Sequence, residues 1–354
     1  MTALSVPARP DEDTSLRPVP WQRMGWVTWR QHRSTVAWVI VFLGALAVGL
    51  VLTGHQLHQA YVTAVAACRP PANALTCPNA TIAFDGTNGF LANGGILQAT
   101  PVLIGAFAGA PLLARELESG TFRYAWTQGF GPWRWALAKL VPLAMLLAIA
   151  AGVFSLVLNW YYQPYFVAAN QNMGLEELTP FYPALFGLRG IGFAAWTLVA
   201  FAIGALAGML IRRVVPAIAA TIFAYAALAF AAGGWLRPHY LSPVVTTSLN
   251  IPGSAWVQSQ WWTKNGTLAF SGWPSNSLFE QYCPKGPPVA TGPDGKPKAV
   301  SLAECLTTHG YTQWTSYQPA SRFWPFQWIE GGWLLVLSAL LIAVTVWLVR
   351  RRAT

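Results

Sequence analysis

The sequence has 354 residues, of which 54% are hydrophobic and only 10% are charged. Soluble globular proteins carry about 25% charged residues, so this composition excludes an ordinary soluble domain and predicts a membrane protein. The net charge of +10 would suit a nucleic-acid partner. The basic residues cluster at the ends of apolar runs, however, where they set membrane orientation, and we therefore expect no nucleic-acid partner.

The chain begins with a polar segment, residues 1–20, that contains four prolines and shows no periodicity. This composition predicts a disordered cytoplasmic tail. In residues 21–35, Trp and Arg fall on opposite sides of a helical wheel, which predicts an interfacial amphipathic helix. The alternative is a charged flank of the next apolar run. No small-residue cleavage site ends that first run, so we expect it to stay as a membrane span rather than to be removed as a signal peptide.

Six apolar runs follow, each near the roughly 20 residues that a helix needs to cross a bilayer. They predict an all-α polytopic membrane protein with spans at about Val36–Gly54, Gly94–Leu113, Ala136–Asn159, Gly190–Ile211, Val214–Leu236 and Ile329–Val349. Five spans and a cytoplasmic loop (114–135) thus occupy residues 36–236, and the sixth span with a basic tail occupies 329–354. Two spans carry Gly-xxx-Gly spacing, which permits close helix approach but is weak evidence for a specific contact: Gly105/Gly109 and Gly204/Gly208.

Lys and Arg concentrate in alternate connections between the predicted spans. The amino-terminal segment has five, the loop at 113–140 has four, and the carboxyl-terminal tail at 350–352 has three, whereas 55–93 and 160–189 have one each. Because positive residues favour the cytoplasmic side, both termini are predicted to be cytoplasmic. The protein is then a multi-pass plasma (inner) membrane protein, with a large extracytoplasmic segment, residues 237–328, between spans 5 and 6.

All four cysteines fall in segments assigned to the outside: Cys68, Cys77, Cys283 and Cys305. An even number on the oxidising side predicts disulfides. Three pairings are possible, and closeness in sequence favours Cys68–Cys77 with Cys283–Cys305. The segment 237–328 is rich in Pro and Trp, which predicts that part of it packs as a cap or as re-entrant helices.

Several kinds of site are disfavoured by the sequence. The chain has no phosphate-binding loop, so any ATP must bind another chain. The spans hold no Asp or Glu away from their edges, Glu330 being at a boundary, which counts against an ion-coupled carrier. His55 and His58 are one turn apart, but without other ligands nearby they read as an interfacial pair rather than a metal site. His239 and His309 with Ser242 could serve a membrane hydrolase, but such a set arises by chance in a long segment.

The loop after span 2 is the most specific feature. Glu116, Glu118, Gly120 and Thr121 form the pattern E-x-E-x-G-T. Gly120 is predicted to break the extended span and Thr121 to cap a new helix that lies across the membrane axis. That helix would show aromatic and basic residues to the cytoplasm, and such residues are favoured at the centres of protein interfaces: Phe122, Arg123, Tyr124 and Trp126. The alternative is an ordinary interfacial loop anchored by Trp133 and Trp135.

An interfacial helix, six spans and E-x-E-x-G-T after span 2 resemble the permease subunits of ATP-binding-cassette (ABC) exporters of the second type. The stretches GAPLLARELESGTFRYAWTQG and AFAIGALAGMLIRRVVPA are especially similar to actinobacterial members. Two departures are Arg123, where the family often has an acidic residue, and Gln128-Gly129, where it often has Ser/Thr-Pro. The outer segment is also longer than the family's usual connection.

The resemblance implies a subunit without catalysis of its own. Its partners would be a separate ATP-binding subunit, which carries ATP and Mg, a second permease copy or paralogue, and membrane lipid. The segment from about Glu116 to Trp126 would be the coupling helix. A pathway without charges would suit a lipophilic or amphipathic cargo. Two other readings are a lipid-modifying membrane enzyme and a sensor or immunity protein, each using residues 237–328.

Overall fold

The computed structural model describes residues 21–64, 95–122, 131–170, 179–249, 251–272, 277–278, 289–291, 297–299 and 302–352. Within these residues six helices are long and apolar enough to cross a membrane, which confirms the predicted number of spans. They are named spans 1 to 6 below: Gly25–Thr63, Leu97–Ser119, Pro132–Val167, Gly190–Ile211, Val214–His239 and Ala320–Arg351. The predicted tail, residues 1–20, lies outside the described residues, as do Cys68, Cys77 and Cys283. Cys305 is buried, and both disulfide pairings stay predictions.

Regular helices make up most of each span. Their bounds are Trp21–Ala64 (α1), Gly95–Ile104 (α2), Ala110–Ser119 (α3), Pro132–Asn170 (α4), Pro183–Phe186 (α5), Gly190–Ile211 (α6), Val214–Ala231 (α7), Leu302–Thr308 (α8) and Phe323–Arg352 (α9). A π-helical turn, Gly105–Gly109, joins α2 to α3 within span 2. A second π-helical turn, Ala232–Leu236, and a 3-10 turn, Arg237–His239, extend α7 to the end of span 5.

Span 1 lies within α1, one continuous helix of 44 residues, so the predicted interfacial helix is not a separate element. Its sequence contains no proline, and Ser34-Thr35 does not end the helix. At a rise of 1.5 Å per residue the helix is about 66 Å long, roughly twice the hydrocarbon thickness of a bilayer. It must therefore extend beyond the apolar layer. Trp26 and Trp29, both exposed, lie near its amino end.

Span 4 lies at the centre of the bundle and packs against spans 2, 3, 5 and 6. The most apolar part of span 4 is 67% buried, whereas that of span 5 is only 11% buried. Both spans are strongly apolar, so composition alone does not separate them. Span 5 leaves an apolar face for lipid or for another chain.

The two Gly-xxx-Gly pairs form one contact between spans 2 and 4. A Cβ built on Gly204 would lie 2.5 Å from the carbonyl oxygen of Gly105, and one on Gly208 would lie 2.4 Å from that of Ala110. From the other side, a Cβ on Gly109 would lie 2.5 Å from the carbonyl oxygen of Phe201. The two backbones touch here, and only glycine leaves room for them.

The all-α prediction is wrong for the segment between spans 5 and 6, which contains β-structure. Its strands are β1 (Val244–Thr246), β2 (Trp256–Lys264), β3 (Thr267–Ser271), β4 (Val289–Thr291), β5 (Pro297–Ala299) and β6 (Tyr311–Gln318). In the described residues, an antiparallel sheet has the order β1-β6-β2-β3, and β4 pairs with β5. Asn265 and Gly266, both with positive φ, form the two-residue turn between β2 and β3, as type I′ hairpins require.

The sheet packs on the end of the bundle where span 5 ends and span 6 begins, which we call the sheet end. Trp262 is fully buried with Leu306 and Tyr311 in a small core on one side of the sheet. Trp256 of β2 joins a second aromatic cluster with Phe181 and Phe326. This second cluster attaches the sheet to the helices. The opposite end of the bundle, where spans 2 and 4 end, is called the loop end.

Candidate functional site

Span 2 ends at the predicted break. Helix α3 stops at Ser119, and Gly120 has φ 74 and ψ 2, a left-handed conformation that glycine adopts without strain. The side-chain oxygens of Ser119 and Thr121 lie 3.0 Å apart, and Phe122 is helical again. The break at Gly120 is therefore confirmed. Arg123, Tyr124 and Trp126 lie outside the described residues, so their predicted exposure is not tested.

Glu116 turns toward span 3. Its carboxylate forms an ion pair with Lys139, which is only 3% exposed. The Lys139 ammonium also lies 4.7 Å from the ring centroid of Trp135. Because a buried ammonium requires a partner, Glu116 and Lys139 need each other. The first acid of the pattern thus joins span 2 to span 3.

Glu118 contacts the start of span 5. Its Oε2 accepts a hydrogen bond from the backbone N–H of Val214, at 3.2 Å. Val214 is the first residue of α7, where backbone N–H groups have no partner in the helix and a negative charge is favourable. Arg212, at φ 58, makes the tight connection from span 4 that places Val214 there. The second acid thus joins span 2 to span 5.

The remaining residues of the pattern divide between the core and the surface. Phe122 is half-buried and packs against the principal apolar core, so its ring is only partly presented outward. Thr121 is exposed, as are Arg115 and Ser119. The loop end therefore offers a polar surface directly beside two acids that hold neighbouring spans.

A buried ionic network, which no local sequence pattern indicates, lies at the sheet end. Glu330 of span 6 is fully buried. It accepts two hydrogen bonds from Arg237, Nη2 to Oε1 at 2.8 Å and Nε to Oε2 at 2.9 Å. Trp196 Nε1 donates to Oε1 at 3.0 Å, and the Tyr240 hydroxyl donates to Oε2 at 3.2 Å. The network joins spans 4, 5 and 6.

Tyr240 remains a donor in this network. Burial, together with the negative charge of Glu330, raises the pKa of Tyr240 above its ordinary value. Its hydroxyl therefore keeps its proton at neutral pH and at the same time accepts a hydrogen bond from Trp333 Nε1, at 2.9 Å. The sequence shows Glu330 only at the edge of the sixth apolar run, and an acid that enters the apolar layer needs a buried partner. That partner, Arg237, is far away in the chain.

The four histidines considered as metal ligands or hydrolase residues contact aromatic rings or backbone carbonyls. His58 stacks on Trp160 with ring centroids 4.6 Å apart, and its Nε2 lies 3.0 Å from the Trp160 carbonyl oxygen. His55 meets the same ring edge-on. Nδ1 of His239 lies 2.6 Å from the carbonyl oxygen of Trp235, and Nδ1 of His309 lies 3.0 Å from that of Cys305. These contacts are typical of structural histidines.

The family described as ABC-2 membrane transporter related matches residues 40–237. The chain matches no curated protein and no solved structure. The matched region contains the residues that join spans 2, 3 and 5 at the loop end, and it stops at Arg237, before the sheet. It covers more than half of the 354 residues. With six helices able to span a membrane, the chain belongs to the family of ABC-2-related membrane transporter proteins.

Proposed function

We propose that this chain is the permease subunit of an ATP-driven exporter in the plasma membrane. Family membership supports this proposal, and the sequence has no phosphate-binding loop of its own. ATP and Mg bind a separate subunit, and the chain performs no chemistry. Both termini and the loop end face the cytoplasm, and the sheet end faces outward, in agreement with the distribution of Lys and Arg.

The observation that carries the proposal is the double attachment at the end of span 2. Glu116 holds Lys139 of span 3, and Glu118 holds the first N–H of span 5. A subunit that binds the segment from Glu116 to Trp126 and displaces it would therefore move spans 2, 3 and 5 together. The segment is then the coupling helix, and Gly120 lets it leave the axis of span 2.

Transport follows from two packings of the spans. ATP binding closes the two nucleotide-binding subunits, and each coupling helix moves with its subunit. The end of span 2 transmits that movement to spans 3 and 5, while the Gly-lined contact keeps span 2 in register with span 4. The pathway reopens toward the outside because the docked subunit favours the second packing.

A second permease copy or a paralogue completes the pathway. Spans 1, 5 and 6 are 22%, 11% and 22% buried in their most apolar parts, so each has an apolar face that the described residues leave uncovered. Lipid covers part of these faces and the second permease covers the rest. A pathway between such faces suits a lipophilic or amphipathic cargo.

Co-purification tests the pairing. The tagged chain is purified in mild detergent from the membranes of its own host, and co-purifying ATP hydrolysis is measured. Thr121→Arg places a bulky charge on the exposed start of the segment, and Thr312→Arg, exposed on β6, is the matched control at the other end of the molecule. We expect ATPase activity with wild type and the control and its loss with Thr121→Arg. Equal activity in all three, or none from well-folded protein, would refute the proposal.

A further inference from the structure

A cavity of about 420 Å³ lies at the sheet end, between spans 2, 4 and 5. Its volume falls within the range of about 300–1,000 Å³ that is typical of small-molecule sites. Trp196 of span 4 and Tyr225 of span 5 form part of its wall, with their rings edge to face at 5.4 Å between centroids. Pro101 contributes from span 2.

Small residues of span 5 keep the cavity open. Ala229, Gly233 and Gly234 all line it, and both glycines belong to the π-helical turn. A Cβ built on Gly233 or Gly234 would meet no atom within 4 Å. These glycines are therefore not required by close packing, unlike those between spans 2 and 4. Single π-helical turns occur frequently at functional sites.

The charge at the cavity wall is already balanced. Arg237 lines the cavity, but its guanidinium makes two hydrogen bonds to the fully buried Glu330. An ionic ligand would have to compete with that pair for the same groups. The other lining residues are mainly apolar, so the cavity favours a ligand without charge.

One polar group of the wall has no partner among the described residues. The Tyr225 side chain is only 9% exposed and lines the cavity, and among the described residues its hydroxyl forms no hydrogen bond. A ligand oxygen placed beside this hydroxyl can therefore accept a hydrogen bond for which no described protein group competes.

We propose that this cavity binds a neutral, lipophilic molecule whose carbonyl or ester oxygen accepts a hydrogen bond from Tyr225. Identifying that molecule with the exported compound rests on the proposed function. Binding to the purified chain does not rest on the proposed function, because it requires neither ATP nor the second subunit. A failure of the binding proposal can therefore be distinguished from a failure of the proposed function.

The probe is 4-butylbenzophenone, a neutral lipophilic ketone that labels its site under ultraviolet light. The full-length chain in detergent is labelled over a range of probe concentrations, and labelled peptides are identified by mass spectrometry. We expect saturable labelling of peptides from spans 4 and 5. Tyr225→Phe should raise the half-saturating concentration about five- to tenfold, as expected for one hydrogen bond.

Two leucine substitutions on span 5 separate the cavity from the lipid-facing surface. Ala229→Leu places its side chain in the cavity and should abolish saturable labelling, whereas Ala227→Leu, exposed and away from the cavity, should leave it unchanged. The proposal would be overturned if wild type showed no saturable labelling. It would also be overturned if neither Tyr225→Phe nor Ala229→Leu changed the labelling.

The natural ligand has two possible sources with the same chemistry, a membrane lipid ester or a diffusible compound. Molecules that co-purify with wild type and with Ala229→Leu are extracted and compared by mass spectrometry. A lipid depleted only in the Ala229→Leu sample assigns the cavity to lipid. A saturable site without such a lipid assigns it to a diffusible compound.

Discussion

Replacing Gly208 by alanine should separate spans 2 and 4. The added Cβ would lie 2.4 Å from the carbonyl oxygen of Ala110 and 3.3 Å from the backbone nitrogen of Ala114. Both are backbone atoms, so no side-chain rotation relieves the overlap. Ordinary contact begins at about 3.4 Å, and the two helices must therefore move apart by about 1 Å in a tightly packed interior.

The cost follows from overpacking. Inserting one methyl group into a well-packed core destabilises a protein by about 1–3 kcal/mol. Gly152→Ala in span 3 is the matched control, since its Cβ would meet nothing within 4 Å. In that variant the higher helix propensity of alanine makes the change neutral or stabilising by up to about 1 kcal/mol. The same chemical substitution should thus have opposite effects at the two positions.

The assay is the midpoint of thermal unfolding in detergent, followed by size-exclusion chromatography of the heated, fluorescently tagged chain. A loss of about 2 kcal/mol should lower the midpoint of Gly208→Ala by roughly 2–4 °C. Gly152→Ala should unfold at or above the wild-type temperature. Equal midpoints for the two variants would refute the inference that the spans meet through Gly208.

Three further predictions concern ionic contacts and cysteines. Glu330→Gln leaves the Arg237 guanidinium buried without a counter-charge and should cost about 3–5 kcal/mol in the same unfolding assay. The Arg237→Met/Glu330→Gln double variant should recover much of this loss. An unchanged unfolding midpoint for Glu330→Gln would contradict the network. Glu118→Ala removes the hydrogen-bond acceptor at the start of span 5 and should cost about 1 kcal/mol of stability, whereas Glu118→Gln, which keeps an acceptor, should cost less. A larger loss of stability in Glu118→Gln than in Glu118→Ala would contradict a capping role. Peptide mapping without reduction should find Cys68 linked to Cys77 and Cys283 linked to Cys305, and links between the two segments would contradict these pairings.

The six spans could be predicted because hydrophobic length is a strong signal, and spans 4 and 5 match their predicted positions at the loop end. Other helices continue past the predicted bounds: α1 begins at Trp21 and α4 ends at Asn170. Hydropathy reports only the part of a helix that lies in the apolar layer. Polar turns beyond that layer have no apolar run to mark them.

Pairings between distant residues could not be predicted. Each Gly-xxx-Gly pair can be recognised in the sequence. No local pattern indicates, however, that Gly105 contacts Gly204 of span 4 rather than a residue of another span. Arg237 and Glu330 are likewise 93 residues apart. This ion pair depends on how the helices pack together, and no local stretch of the sequence indicates that packing.

The sheet was missed although one local signal for it was present. Asn265-Gly266 is the dipeptide that type I′ hairpins prefer, and it follows the β-prone run Trp261-Trp262-Thr263. The register of β2 against β6 shifts between Val257 and Ser259. Such an irregularity breaks the simple alternation by which strands are recognised.

The most direct test of the coupling role is a cross-link from the loop end. A photoreactive phenylalanine analogue (p-benzoylphenylalanine) replaces Thr121 in one sample and Thr312 in another, both exposed in the structure. The host membranes are irradiated, and the captured protein is identified by mass spectrometry. We predict that position 121 captures a protein with a phosphate-binding loop and that position 312 does not. Capture of no such protein at 121, or equal capture at both positions, would contradict docking of an ATP-binding subunit on this segment.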